Sequence, residues 1–190
     1  PYTSWKPAGE SVTLDEILDR VSDHPATDVV LTGGEPLLAA GIEELTHRLR
    51  ETGYHVTLET AGTVFKDVVC DLASISPKLS NSTPWEREAG RFAELHERLR
   101  LNLDAIHRLM RLGDYQLKFV VDRPEDIVEI DSMLFQLESF DPASVLLMPQ
   151  GITRAELDQR GPWIVELCKQ RGFRFCPRLH IALYGNVRGT

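Results

Sequence analysis

Short apolar runs alternate with amphipathic stretches along most of the 190-residue chain. Thr13 and Glu16 form a capping box that predicts a first helix, and Ile42, Leu45 and Leu49 mark a second. Six apolar runs predict strands, at residues 28–32, 54–58, 73–76, 116–121, 144–148 and 173–176. Nearly continuous apolar strands are typical of buried parallel sheets, so the alternation predicts an α/β fold.

Four further helices are predicted between the later strands. They run from Val64 to about Cys70 with Thr63 as N-cap, from Phe92 to Leu109, from Pro124 onward, and from a capping box at Thr153 and Glu156 to about Arg171. No break interrupts the alternation, which predicts a single domain over residues 1–190. A complete eight-stranded barrel needs roughly 250 residues, so a partial barrel or an open doubly wound sheet fits the length better.

Charge and cysteine content narrow the class of protein. With 21 Lys and Arg against 29 Asp and Glu, the net charge is −8, which argues against a nucleic-acid partner. The sequence contains no apolar run of about 18 residues, so no membrane span is predicted. The three cysteines, Cys70, Cys168 and Cys176, are too few and too widely spaced for a disulfide scaffold. A reducing cytoplasm is therefore the predicted compartment.

Polar, Gly-rich or Pro-rich segments follow the predicted strands. In parallel α/β folds, ligands bind at the carboxyl ends of the strands. The segments at those ends are residues 32–36, 59–63, 76–78, the strand around Lys118, residues 148–151 and residues 177–180. Because such chemistry recurs at all six ends, we expect a ligand site along this edge.

The segment Gly33-Gly34-Glu35-Pro36 has a chemical and a structural interpretation. Its glycines let backbone N–H groups approach a ligand, and Glu35 can accept hydrogen bonds from an ammonium group. The alternative is a tight turn before a helix-initiating proline. It is neither a P-loop nor a dinucleotide fingerprint, because no Gly-Lys-Ser/Thr follows and the third glycine is missing.

Other strand ends also offer candidates. Thr60 is hard to explain by a turn alone, and Gln150 offers a two-sided amide suited to a purine or pterin edge. Lys78 ends a Ser-Pro-Lys segment, although a surface role is usual for a single lysine. His180 follows the last strand, and a structural role is the alternative there as well.

The segment Gly33-Gly34-Glu35-Pro36 resembles the GGEP motif of radical S-adenosylmethionine enzymes. The order of motifs along the chain is more specific than this motif alone: GGEP, Glu-Thr-x-Gly-Thr, Ser-Pro-Lys, Met-Pro-Gln, then a tail histidine with Tyr-Gly-Asn-x-Arg-Gly. This series resembles the 7-carboxy-7-deazaguanine synthase family over nearly the whole chain, from Pro1 to Thr190.

The resemblance implies a fold, a reaction and site residues. The fold is a partial (βα)6 barrel, here with its first strand and cluster loop missing. The reaction is a radical ring contraction of 6-carboxy-5,6,7,8-tetrahydropterin with loss of ammonia, in queuosine and 7-deazapurine biosynthesis. The implied S-adenosylmethionine-binding residues are Gly34, Glu35, Gly62, Ser76, Pro77, Lys78 and Gln150. The implied pterin-binding residues are Thr60, His180 and the carboxyl-terminal Thr190.

The implied cofactors are S-adenosylmethionine, a [4Fe–4S] cluster and Mg²⁺, and the implied partners are a flavodoxin- or ferredoxin-type reductant and a second copy in a homodimer. The family's cluster-binding cysteine triad is missing from this chain, and its three separated cysteines do not replace it. Pro1-Tyr2-Thr3 resembles the segment after that triad. We therefore expect the cluster cysteines and the Mg²⁺-site residues upstream of Pro1, and the chain alone to be inactive.

Two other functions stay open. A glycyl-radical activase shares GGEP but has no reason to contain Ser-Pro-Lys or the Tyr-Gly-Asn tail. A non-catalytic binding protein that kept the fold and lost the cluster is the other alternative.

Overall fold

The computed structural model describes residues 10–187, without the side chains of residues 87 and 88. The predictions made for Pro1-Tyr2-Thr3 and for Thr190 lie outside the described residues. Within the described range, no helix is long and apolar enough to cross a membrane.

Helices and strands alternate through the described residues. The helices are α1 (Leu14–Ser22), α2 (Ile42–Glu51), α3 (Ala93–Leu99), α4 (Leu103–Leu109), α5 (Asp126–Gln136), α6 (Arg154–Arg171) and α7 (Leu179–Tyr184). The strands are β1 (Asp28–Leu31), β2 (His55–Thr60), β3 (Leu72–Ile75), β4 (Asp114–Val121), β5 (Val145–Pro149) and β6 (Arg174–Phe175). Short 3-10 turns lie at Pro36–Leu38, Ser80–Ser82, Arg87–Gly90 and Pro142–Ser144. All six predicted strands are present, with ends shifted by a few residues.

The chain divides into two compact units. Residues up to 75 together with 104–115 form the first unit, and residues 76–103 together with those from 116 onward form the second. The prediction of one domain over residues 1–190 stays a prediction beside this division.

In the first unit, β2 pairs in parallel with both β1 and β3. The register sets Leu31 opposite Leu58 and Thr60 opposite Ile75. The core side chains of this unit are Leu45, Leu49, Val56, Leu58, Ala73, Ile75, Ile106 and Leu109. Strand β1 differs from the buried strand that its apolar run predicts, because Val30 is 54% exposed and only one neighbour pairs with β1 among the described residues.

In the second unit, β5 pairs in parallel with β4 and with the short β6. Helices α5 and α6 contribute buried apolar residues to the same unit. The core side chains here include Leu117, Phe119, Val121, Ile130, Met133, Val145, Leu147 and Ile164. Both units thus have parallel sheets and helices, as the α/β prediction requires.

The capping predictions are confirmed at both ends of α6 and at the start of α1. Thr13 and Thr153 each accept a hydrogen bond from the backbone N–H of the glutamate three residues later, and each glutamate reaches back to the threonine N–H. Gly172 ends α6 in the left-handed conformation, with φ of 71°.

The predicted helix from Val64 to Cys70 is wrong, so Thr63 is not a helix N-cap. This segment has no regular secondary structure. Its backbone is held by contacts distant in sequence instead: the hydroxyl of Thr46 on α2 accepts a hydrogen bond from Val69 N at 3.3 Å. Burial of Val68 and Cys70 completes the segment without a helical turn.

The single long helix predicted from Phe92 to Leu109 is also wrong, because α3 and α4 are separated at residues 100–102. Leu95 and Leu99 on α3 are 45% and 54% exposed, whereas Ile106 and Leu109 on α4 are fully buried. One continuous apolar stripe in the sequence therefore corresponds to two helices in different environments.

Two smaller differences concern helix starts. Pro124 lies in the turn before α5 rather than in its first turn, because the Asp126 carboxylate accepts hydrogen bonds from Asp122 N at 2.8 Å and Arg123 N at 3.2 Å and holds that turn. Helix α7 was not predicted, since the tail after the last strand offers no helical periodicity.

Candidate functional site

The Glu35 carboxylate lies at the end of β1, where the neighbouring strand supplies donors to it. Oε1 accepts a hydrogen bond from Thr60 Oγ1 at 2.7 Å, and Oε2 accepts one from Ala61 N at 3.0 Å. Oε1 also accepts from Leu37 N at 3.3 Å, which starts the turn after the glutamate. An ionised carboxylate has about four acceptor positions, so the charge is fixed in place and can still accept a further donor.

Local geometry explains why these residues meet. Strands β1 and β2 are parallel, so their carboxyl ends lie at one edge. Thr60 is 4% exposed, and its hydroxyl also accepts a hydrogen bond from Gly62 N at 3.0 Å. Gly62 has φ of 71°, and a Cβ there would lie 2.9 Å from side-chain carbons of Ile75 and Ile106. Only glycine fits this turn, which aims Ala61 N at Glu35.

The backbone of the two glycines before Glu35 is open to solvent. Gly33 has φ of 150°, and a Cβ built on it would meet no atom within 4 Å. Gly34 is exposed. The backbone here is thus accessible to a ligand, next to a fixed carboxylate. These observations fit the methionine ammonium of S-adenosylmethionine.

The Ser-Pro-Lys segment lies in the second unit. Lys78 Nζ is 3.5 Å from Ser76 Oγ, and Pro77 between them is buried. The Lys78 carbonyl oxygen accepts a hydrogen bond from Arg100 Nη1 at 2.9 Å. The segment therefore places a cation beside a hydroxyl, and Arg100 binds the main chain of the lysine.

Gln150 and His180 lie in the second unit as well. Gln150 is exposed and follows β5 directly, and its Oε1 accepts a hydrogen bond from Arg178 Nη2 at 3.3 Å. Arg178 Nε donates to Pro149 O at 3.0 Å, and burial lowers the pKa of this guanidinium. His180 is exposed on α7. Arg178 thus orients the Gln150 amide from a position two residues before the predicted histidine.

The structure brings together some of the predicted site residues within each unit. Glu35, Thr60 and Gly62 form one hydrogen-bonded group in the first unit. Ser76 and Lys78 form a second group in the other unit, where Gln150 is held separately by Arg178. Thr190 lies outside the described residues.

Sequence reasoning missed Arg100 and Arg178. Arg178 stands inside one of the polar strand-end segments, at 177–180, which was the available signal. Arg100 stands within the apolar stripe that predicted one long helix, so no local signal distinguished it.

The three cysteines do not fit an iron–sulfur cluster. Cys70 and Cys168 are buried and Cys176 is partly buried, all three as free thiols. Burial raises the pKa of Cys70 to about 11 and also raises that of Cys168. Among residues 10–187, no three His, Cys, Asp or Glu side chains group as a metal site.

Alkylation at pH 8 should distinguish the three thiols. Because the thiolate is the reactive form, a pKa of about 11 lowers the reactive fraction of Cys70 by about 100-fold relative to an ordinary thiol. We expect iodoacetamide to modify Cys176 first and Cys70 far more slowly, as followed by peptide mass spectrometry. All three should react alike in denaturant. Equal native rates for Cys70 and Cys176 would contradict the buried environment of Cys70.

Comparison with known proteins gives a family and a fold. The model of the radical SAM superfamily matches residues 1–153. The chain is 45% identical to 7-carboxy-7-deazaguanine synthase of Rhodopirellula baltica over 191 residues, covering 100% of this chain and 74% of that protein. It is 40% identical to the Halobacterium salinarum protein of the same name over 199 residues, covering 100% and 77%.

A solved structure, QueE from Escherichia coli, matches with a TM-score of 0.65 at 23% identity. The match covers 88% of this chain and 64% of the QueE chain. At that identity the likeness shows the fold alone; together with the superfamily match it confirms the prediction of a partial barrel of the radical S-adenosylmethionine type. Members of this superfamily use S-adenosylmethionine and a [4Fe–4S] cluster.

The similarity over the whole of this chain and the superfamily match agree with each other. The chain belongs to the 7-carboxy-7-deazaguanine synthase family of radical S-adenosylmethionine enzymes.

Proposed function

We propose that this chain supplies the S-adenosylmethionine- and pterin-binding residues of a 7-carboxy-7-deazaguanine synthase. The substrate is 6-carboxy-5,6,7,8-tetrahydropterin, whose ring contracts with loss of ammonia. The observation that carries the proposal is the Glu35 carboxylate, fixed by Thr60 and Ala61 beside an open glycine backbone. Identity of 45% over this chain to a protein of that name, 74% of which is covered, supports the choice of reaction.

In this proposal, Glu35 receives the ammonium of the methionine moiety and the Gly34 backbone approaches it. The remaining S-adenosylmethionine contacts come from Gly62, Ser76, Pro77, Lys78 and Gln150. Lys78 and Ser76 offer a cation and a hydroxyl, which suit the carboxylate and ribose oxygens of that molecule. Gln150 offers an amide to a ring edge, and the Arg178 hydrogen bond on its oxygen leaves its NH₂ group to donate.

Thr60, His180 and Thr190 are proposed to face the pterin. Exposure of His180 supports this role, since its ring is not enclosed by protein. Thr60 is more constrained: its hydroxyl donates to Glu35 and accepts from Gly62 N, so any pterin contact comes in addition to its part in holding Glu35.

Further components of the proposal rest on the family. A [4Fe–4S] cluster would supply the electron for the chemistry on S-adenosylmethionine, and the three cysteines of the described residues would not hold it. Its ligands, the Mg²⁺ site, a flavodoxin- or ferredoxin-type reductant, a homodimer and a cytoplasmic location are proposed from family resemblance. Trp163 and Leu167 on α6, both partly exposed, are the proposed apolar contribution to the dimer.

Substrate-dependent cleavage of S-adenosylmethionine tests the proposal. The complete, anaerobically reconstituted protein should absorb in the visible blue and release 5′-deoxyadenosine when a reductant and the pterin are added together. We expect release to depend on the pterin, with no stimulation by a glycine-containing peptide. Release stimulated by the peptide alone would favour a glycyl-radical activase. A reconstituted protein that neither loads iron nor cleaves S-adenosylmethionine would overturn the enzyme proposal altogether.

A further inference from the structure

Arg100 forms the centre of a hydrogen-bond network in the second unit. Its side chain is 14% exposed, and it follows α3 directly. Nη1 donates to the Lys78 carbonyl oxygen at 2.9 Å and to Glu129 Oε1 at 2.6 Å, and Nε donates to Glu97 Oε2 at 3.0 Å. One guanidinium therefore joins α3 and α5 to the main chain of the Ser-Pro-Lys segment.

Glu129 holds the same segment two residues further on. Its Oε2 accepts hydrogen bonds from Ser80 N at 3.0 Å and from Ser80 Oγ at 2.7 Å. Asn81 adds a third attachment, since its Nδ2 donates to Asp126 Oδ2 at 2.8 Å. The main chain around Lys78 is thus fixed by α5 side chains and by Arg100.

Arginine suits this position better than lysine does. A guanidinium has five N–H donors in a rigid fork, whereas an ammonium is a single point charge on a flexible stem. Burial alone lowers the pKa of Arg100, but the hydrogen bonds to Glu97 and Glu129 outweigh burial and raise the pKa above its ordinary value. The positive charge is present at any physiological pH, and the hydrogen bonds to Glu97, Glu129 and the Lys78 carbonyl oxygen fix the orientation of the guanidinium.

We propose that Arg100 is a positioning residue for the cofactor: through the Lys78 carbonyl and Glu129 it fixes the Ser76–Lys78 backbone so that Lys78 and Ser76 meet S-adenosylmethionine. This inference rests on the proposed function, which gives Lys78 that contact. The Arg100 guanidinium binds Glu97, the Lys78 carbonyl oxygen and Glu129, so its proposed effect on the cofactor is exerted through the segment. Its removal therefore acts on cofactor affinity through the geometry of the segment, and small misplacements of binding groups are costly.

A matched arginine separates positioning from general stabilisation. Arg160 on α6 also joins a carboxylate and a carbonyl: Nη2 is 2.6 Å from Asp122 Oδ1, and Nη1 donates to Glu156 O at 3.4 Å. Its side chain is 23% exposed, close to the value for Arg100, and it has no bond to residues 76–80. Arg160→Met is therefore the control for Arg100→Met.

The experiment compares the reconstituted holoenzyme with Arg100→Met, Arg100→Lys, Lys78→Met and Arg160→Met. Equilibrium dialysis gives the dissociation constant for S-adenosylmethionine, turnover gives kcat and KM, and hydrogen exchange reports protection at residues 78–82. For Arg100→Met we expect the dissociation constant and KM to rise about 10- to 100-fold with kcat changed less than about threefold. Arg100→Lys should recover part of the affinity, and Arg160→Met should bind like the parent.

The outcomes separate this inference from the proposed function. If the parent binds S-adenosylmethionine and Lys78→Met weakens binding while folded Arg100→Met binds within twofold of the parent, the positioning role is overturned. An equal loss in Arg160→Met would overturn it too. If Lys78→Met binds as the parent does, the assignment of Lys78 under the proposed function fails instead. If Arg100→Met does not fold, the same affinity measurement is made on Arg100→Lys and Glu129→Gln. Unchanged affinity for S-adenosylmethionine in both variants would overturn the positioning role.

Discussion

Replacing Glu35 with alanine should weaken S-adenosylmethionine binding by about 10- to 100-fold. A hydrogen bond to a charged group contributes about 1.5–3 kcal/mol, and each 1.4 kcal/mol is a factor of ten in affinity. The replacement removes the carboxylate that would receive the methionine ammonium. It also removes the acceptor for Thr60 Oγ1 and Ala61 N, so the start of the turn after β2 loses its anchor.

A glutamine variant and a control glutamate sharpen this test. Glu35→Gln keeps one acceptor oxygen but presents an NH₂ group to donors, so we expect a loss close to that of Glu35→Ala. Glu156 is the control: it too accepts several local hydrogen bonds, from Ile152 N, Thr153 N and Thr153 Oγ1, but at the start of α6. Glu156→Gln should bind S-adenosylmethionine as the parent does. Binding by Glu35→Ala within twofold of the parent, in equilibrium dialysis, would refute the role of this carboxylate.

Gly62→Ala should destabilise the protein by about 2–5 kcal/mol. An L-residue in the left-handed region costs about 1–2 kcal/mol, and φ at Gly62 is 71°. Overpacking a core adds about 1–3 kcal/mol, and the new methyl would lie 2.9 Å from Ile75 Cγ2 and Ile106 Cγ1. The shifted turn would also move Ala61 N away from Glu35, so cofactor affinity should fall as well.

Gly53→Ala is the matched control for that prediction. Gly53 has φ of 91°, but a Cβ there would meet no atom within 4 Å. Only the conformational cost of about 1–2 kcal/mol then applies. Denaturant unfolding measures both variants, and the difference between them reports the packing around Gly62. Equal losses in the two variants would show that Ile75 and Ile106 give way, contrary to the close packing described above.

Features encoded within a few neighbouring residues could be predicted from the sequence. The capping boxes at Thr13 and Thr153 involve partners three residues apart, and both are formed. The glycine and glutamate at the end of β1 belong to one continuous segment, so their presence at a strand end could also be predicted. The six strands followed from local runs of apolar residues.

Features set by distant contacts could not be predicted. The segment before β3 is not a helix because Thr46, more than twenty residues earlier, binds Val69 N. The break between α3 and α4 coincides with Arg100, whose partners Lys78 and Glu129 are remote in sequence. The donors that fix Glu35 come from the next strand, and the register of that strand pair is a property of the folded sheet.

Formation of product tests the central claim most directly. The complete, reconstituted protein is incubated anaerobically with S-adenosylmethionine, a reductant and 6-carboxy-5,6,7,8-tetrahydropterin, and the mixture is analysed by mass spectrometry. We expect 7-carboxy-7-deazaguanine and ammonia in equal amounts, with Glu35→Ala forming far less product at limiting S-adenosylmethionine. Consumption of S-adenosylmethionine by an iron-loaded parent protein, with the pterin left unchanged, would contradict the assignment.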